Sequence, residues 1–158
     1  MPVAECSLSA LLESPLMKPF LGTANKDVVP LGKVPGPVLK KLNAELVSAG
    51  QLKLPLNWSE FSPTLSFCGM PGGAEAASCV CIHSWERGIY VDWAYARPNA
   101  SKTLMAVLGA VLTASVEEYG PDGSCSAVLA SDAGASLMKK LAGDAVKFTT
   151  TLRYEMQV

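Results

Sequence analysis

The stretch CVCIH holds the first side chains whose types could do chemistry: Cys79, Cys81 and His83, all zinc ligands by nature, at i, i+2 and i+4. On a β-strand this spacing puts them on one face, successive ones about 7 Å apart. The donors of one tetrahedral zinc must instead converge to within about 2.3 Å of the ion. No second Cys/His pair elsewhere completes such a site, so the run is read as a buried strand face and no metal is expected. The stretch YARPNASKTLMAVL, residues 95–108, carries a different chemistry. Pro98 cannot donate to a ladder and disfavours helix at Arg97, so a strand stops there, and a helix with period 3.6 begins a few residues later. Such a helix start points several unpaired N–H groups and the positive dipole end at one spot, which suits a phosphate. The same residues also describe an ordinary helix start capped by Asn99 or Ser101.

The elements that must position these residues follow from pattern. Two β-rich runs, AASCVCIHSW and IYVDWAYA, are separated by Glu86-Arg87-Gly88, which predicts an antiparallel hairpin. Simple alternation then puts Asp92 on the face opposite Val91 and Trp93. The following helix carries Leu104, Leu108, Val111, Leu112 and Ser115 on one stripe and ends at Tyr119-Gly120. SCSAVLA, residues 124–130, is a short apolar run of the kind found in buried parallel strands, so a right-handed βαβ unit is expected. Upstream, SLSALLESPLMKPFL predicts one or two short helices with Ser7 as a cap and Pro15 and Pro19 limiting their length. GTANKDVVPLGKVPG is a loop; PVLKKLNAELVSAG is a helix with Pro37 near its start, Val38, Leu39, Leu42 and Leu46 near one face, and Gly50 at its end. TLSFCGM is a strand before a PGG turn. A last helix, DAGASLMKKLAG, capped by Ser131 or Asp132, leads into closing strands within AVKFTTTLRYEM.

Composition narrows the function classes. The 158 residues fit one domain, taken as 1–158, which can bury roughly two thirds of its unfolded surface. With 13 basic and 14 acidic side chains, a net charge of −1 and no basic run, the footprint of a nucleic-acid binder is missing. The longest mainly apolar run, Leu104–Ala114, falls short of the roughly 18 residues of a membrane span, so no membrane partner is expected. The N-terminus has no basic region followed by an apolar block, and the five cysteines follow no framework spacing. Buried free thiols in a reducing cytoplasm are the expectation.

The order of elements resembles the GNAT superfamily, the acetyl-coenzyme A-dependent N-acyltransferases. The resemblance rests on YARPNASKTLMAVL against the family's V-x-P-x-x-R-G-x-G-x-G/A-x-x-L, and on SDAGASLMKKLAGDAVKF against its N-x-x-A-x-x-L-Y-x-K-x-G-F. The opening VAECSLSALLESPLMKPF and the helix ending ELVSAGQL are similar to the front end of small bacteriophage and bacterial members. It implies an α/β fold, a mixed, twisted sheet flanked by helices on both faces, and acetyl-coenzyme A as cofactor. Its pyrophosphate would lie at Asn99, Ala100, Ser101, Lys102, Thr103 and Leu104, and its pantetheine arm along Trp93, Ala94, Tyr95 and Ala96. Here Ser101 or Lys102 falls near the family's arginine, Leu104 occupies a glycine position, and Ala106 is the small residue at the end of the loop. Asp92 matches the family's strand carboxylate and is the expected base. Met138 stands at the tyrosine position and cannot donate a proton, so the acid falls to Ser131, Tyr90, Tyr119, Tyr154 or water. Two function classes follow: an N-acetyltransferase acting on an amine of a small molecule or protein, or a non-catalytic phage-type relative that binds a host or partner protein, in which case it works in the host cytoplasm.

Overall fold

The structure, a computed structural model, describes residues 3–22, 25–128, 139–145 and 147–149. One mixed sheet runs through them, built from β1 (Val3–Ser7), β2 (Val28–Pro30), β3 (Phe67–Gly69), β4 (Ser78–Trp85), β5 (Gly88–Ala96), β6 (Ser124–Val128) and β7 (Lys147–Thr149). Their spatial order is β2-β3-β4-β5-β6-β1-β7. Helices α1 (Leu8–Leu12), α2 (Gly36–Ser48) and α3 (Ser101–Tyr119) accompany the sheet, with a helical segment at 139–142. The expected hairpin is present, with β4 and β5 paired antiparallel from Ser78 opposite Ala96 to Trp85 opposite Gly88. β5 then pairs in parallel with β6, and α3 is the crossover between them. Gly88 opens this parallel ladder. A Cβ there would lie 2.0 Å from the Ser124 carbonyl oxygen, so the backbones meet only because the residue is glycine.

Helices cover both faces of the sheet. On one, Leu8 and Leu11 of α1 and Val107, Val111 and Leu112 of α3 pack with Cys6, Val80, Ile82, Ile89 and Cys125. On the other, Leu42 and Leu46 of α2 pack with Cys68, Cys79, Cys81 and Phe61, and Trp93 and Tyr95 lie partly buried beside them. β4 supplies both cores by strict alternation, Val80 and Ile82 to one and Cys79 and Cys81 to the other, which is why it reads as continuously apolar. On α3, Val107, outside the expected stripe, and Ser115 are fully buried, while Leu104 and Leu108 are only partly buried against the core.

Two strands depart from the sequence reading. β1 runs up to Ser7, over residues where no strand is predicted; Ala, Glu and Ser have little strand preference, and the segment is extended because β6 and β7 pair with it on both sides. Ser7 is the helix cap as expected, its Oγ accepting from the Ala10 N–H at 3.3 Å. β2 forms inside the predicted loop, at an end of the sheet where Pro30 interrupts no inner ladder. Ser131, Met138 and Tyr154, with residues 129–130 and the start of the last predicted helix, lie outside the described residues. All five cysteines are free and buried. Cys6 stands directly opposite Cys125, and the hydrogen bond between their thiols holds Cys6 below the ordinary thiol pKa while that bond and burial push Cys125 above it. Among the described residues, no helix is long and apolar enough to cross a membrane.

Candidate functional site

The site lies on β5, from Val91 onward. Among the described residues the parallel ladder covers Gly88–Val91 against Ser124–Ala127, and β5 itself runs to Ala96. Just past Val91 the β4–β5 register shifts: Cys81 lies opposite Trp93, but Ile82 lies opposite Val91, so Asp92 is the extra residue of a β-bulge. The Ile82 backbone is held from the other side, its N–H donating to Ser66 Oγ at 2.8 Å and its carbonyl accepting from the Ser62 N–H at 2.8 Å. The bulge corrects the simple alternation expected for β5. Val91 packs toward α3 with Ile82, whereas Trp93 packs toward α2 with Cys81, so the two do not share a face.

Asp92 Oδ2 lies 3.0 Å from His83 Nε2, with the two side chains 42 % and 21 % exposed, enough for solvent or a small molecule to reach them. The imidazole is stacked on Tyr90, ring centroids 5.9 Å apart, and tilted against Phe61 at 5.3 Å. The His83 partnership does not appear in the sequence reading. The register of a hairpin turning at Glu86-Arg87 already sets His83 opposite Tyr90 and hence diagonal to residue 92, and that was the available signal. A carboxylate on an imidazole can orient the ring and hold or pass a proton. Tyr90 belongs to this cluster but is buried. Tyr119 stands at the far end of α3, roughly 27 Å along its axis from Ser101, and is not part of the site.

β5 leads into the turn Arg97-Pro98-Asn99-Ala100. The Ala100 N–H donates to the Arg97 carbonyl at 3.0 Å, and Asn99 has φ +69, the signature of a type II turn with Pro at the second and Asn at the third position. Asn99 therefore serves the turn, and Ser101 is already the first residue of α3. The N-cap is Ala100, which makes no side-chain hydrogen bond, so neither expected cap is used. No acidic residue stands in the first turn; Ser101 and Lys102 are exposed, and Ala100, Thr103 and Leu104 half-buried. The Thr103 methyl packs on Gly69 of β3, where a Cβ would lie 2.3 Å from it; glycine there lets the helix start settle onto the sheet.

The predicted coenzyme residues thus divide. Ala94 and Ala96 lie opposite Val80 and Ser78 on the α3 face, Ala94 exposed and Ala96 half-buried. Trp93 and Tyr95 stack on each other on the α2 face, centroids 5.7 Å apart, with Trp58 edge-on to Trp93 at 6.2 Å. Their rings do not face the start of α3. Arg97 is bound from two sides, its Nη2 to Glu45 of α2 at 2.6 Å and its Nη1 to Glu75 at 3.0 Å, while Lys41 also bonds Glu75. Lys41 first and Arg97 second hold the Glu75 carboxyl down at about 2, and the two acids raise Arg97 in turn. Among the described residues, no group of three or more His, Cys, Asp or Glu is placed to hold a metal ion. No family model matches this chain, and no curated protein and no solved structure matches it either.

Proposed function

We propose that this chain is a GNAT-type N-acetyltransferase that uses acetyl-coenzyme A and acts on an amine of a small molecule or protein. The observation that carries this reading is the β5–α3–β6 crossover, in which the strand with the Asp92 bulge leads through a tight turn into a helix start with no side-chain cap. A pyrophosphate suits that helix start. Its first-turn N–H groups carry the positive dipole end, no acid opposes an anion there, and Ser101 and Lys102 add a hydroxyl and an ammonium. The coenzyme supplies the acetyl thioester. The exposed Ala94 offers a small surface on the α3 face of β5. On the opposite face, Asp92 and His83 take the ammonium proton of the acceptor, leaving the neutral amine as nucleophile.

A second role, as a partner-binding protein with a degraded coenzyme groove, is favoured by one observation. Arg97 at the turn is engaged by Glu45 and Glu75, so among the described residues Lys102 is the remaining cation for a pyrophosphate near the helix start. Calorimetric titration with acetyl-coenzyme A separates the two. The enzyme reading expects a dissociation constant below about 1 mM, or more than about 4 kcal/mol of binding. Wild-type protein that melts cooperatively yet binds nothing at that concentration overturns the enzyme and leaves the partner-binding role.

A further inference from the structure

Cys68 on β3 and Cys79 on β4 stand directly opposite each other in their antiparallel ladder. Both are 0 % exposed, and the Cys79 thiol donates to the Cys68 sulfur across 2.7 Å. We propose that this pair is a disulfide site, closed by exchange with a small soluble disulfide of the glutathione type while the neighbouring Cys81 stays a thiol. Directly opposed residues of an antiparallel pair have Cα atoms about 4.5–5.5 Å apart, within the roughly 4.4–6.8 Å that a disulfide spans. The bond itself is about 2.05 Å long, so the two sulfurs need to close by under about 1 Å. Cys81 shares the face of Cys79 but has Trp93 opposite it on β5.

Access comes from the edge of the sheet. β3 is three residues long, and among the described residues only β2, also of three residues, lies beyond it, so opening this short outer edge together with the Leu42 and Leu46 side chains over it bares Cys68 without undoing β4–β5. The bond to Cys68 and burial push the Cys79 thiol well above the ordinary range, so exchange starts at Cys68. Its thiolate attacks one sulfur of the small disulfide, whose S–S bond breaks and releases one thiol. Cys79 then attacks the Cys68 sulfur of the mixed disulfide and expels the second. Two cysteine thiols are oxidised, one small disulfide is reduced to two thiols, and the two cysteine protons end on those thiols. The bridge would tie β3 to β4 next to Gly69, on which the first turn of α3 rests. It does not depend on the acetyltransferase reading.

Met70 lies between the two cysteines, which makes the test direct. Folded protein is incubated with excess oxidised glutathione, its remaining thiols are alkylated, and the chain is cleaved at methionine with cyanogen bromide. The expected result is that fragments 18–70 and 71–105 stay joined until a reductant is added, in wild type and in Cys81→Ala, and separate in Cys79→Ala. Tandem mass spectrometry of the joined fragments assigns the partner as Cys79 or Cys81 on the wild-type protein itself, so a variant that fails to fold leaves the question decidable. Fragments that separate after oxidation of the wild type, or a bridge to Cys81, overturn the proposal.

Discussion

At the scale of single residues, Asp92 owes its position to one inserted residue in a ladder. Regular alternation already sets the carboxylate diagonal to His83 on the same face; as the extra residue of the bulge, Asp92 stands 3.0 Å from the ring. If this pair is the base, Asp92→Asn should lower turnover by about 10²- to 10⁴-fold with little change in coenzyme affinity. Steady-state kinetics with a calorimetric control measures this, and a pH–rate profile left unchanged by the substitution would remove Asp92 from the mechanism. Lys102 is judged on binding instead. Helix N-terminal amides attract an anion only modestly, so Lys102→Glu, which exchanges an attraction of about 1–2 kcal/mol for a repulsion, should weaken acetyl-coenzyme A binding at least tenfold. Its melting temperature should stay close to wild type, because the side chain is exposed.

Between elements, the charges at the end of β5 act as a clamp. Arg97 joins β5 to Glu45 of α2 and to Glu75 of the segment before β4, and Lys41 of α2 holds Glu75 as well. The Arg97 N–H also donates to the Ala77 carbonyl at 2.8 Å, so the residue before the type II turn is fixed through backbone and side chain together. Glu75 reports on the clamp through pH. Its carboxyl is held down to about 2 from an ordinary 4.5, so its contribution to stability is complete above pH 4.5 and fades as pH falls toward 2. Glu75 is exposed, and solvent screens the effect. Melting temperatures measured across that window should therefore fall less steeply for Glu75→Gln than for the parent chain. Parallel curves would mean that the ion pairs contribute nothing measurable in solution.

For the whole molecule, stability rests on a sheet buried from both sides. Ile82 is 0 % exposed, lies in the core beneath α3, and sits opposite the bulge with its backbone anchored to Ser62 and Ser66. Truncation there should cost about 2–5 kcal/mol, read as a lower urea midpoint for Ile82→Ala with an unchanged slope. An effect below about 1 kcal/mol would show that this core relaxes around the missing atoms.

Several features were legible without coordinates because they are local. The hairpin over β4 and β5 followed from two β-rich runs and a short Gly-containing connection. The α3 boundaries followed from Pro98, the apolar period and Gly120, and Gly50, with φ +74, lies just past α2 as its pattern implied. The α/β class and the parallel β5–β6 pair came from the order of these segments. Tertiary structure alone decided the rest. β1 and β2 exist because distant strands complete their hydrogen bonds, a condition no window of their own sequence expresses. The bulge at Asp92 shifts the register against β4, and it turns Trp93 and Tyr95, rather than Ala94 and Ala96, to the α2 face. The preferences that shape a turn act over a few residues, whereas register and facing are set by partners tens of residues away.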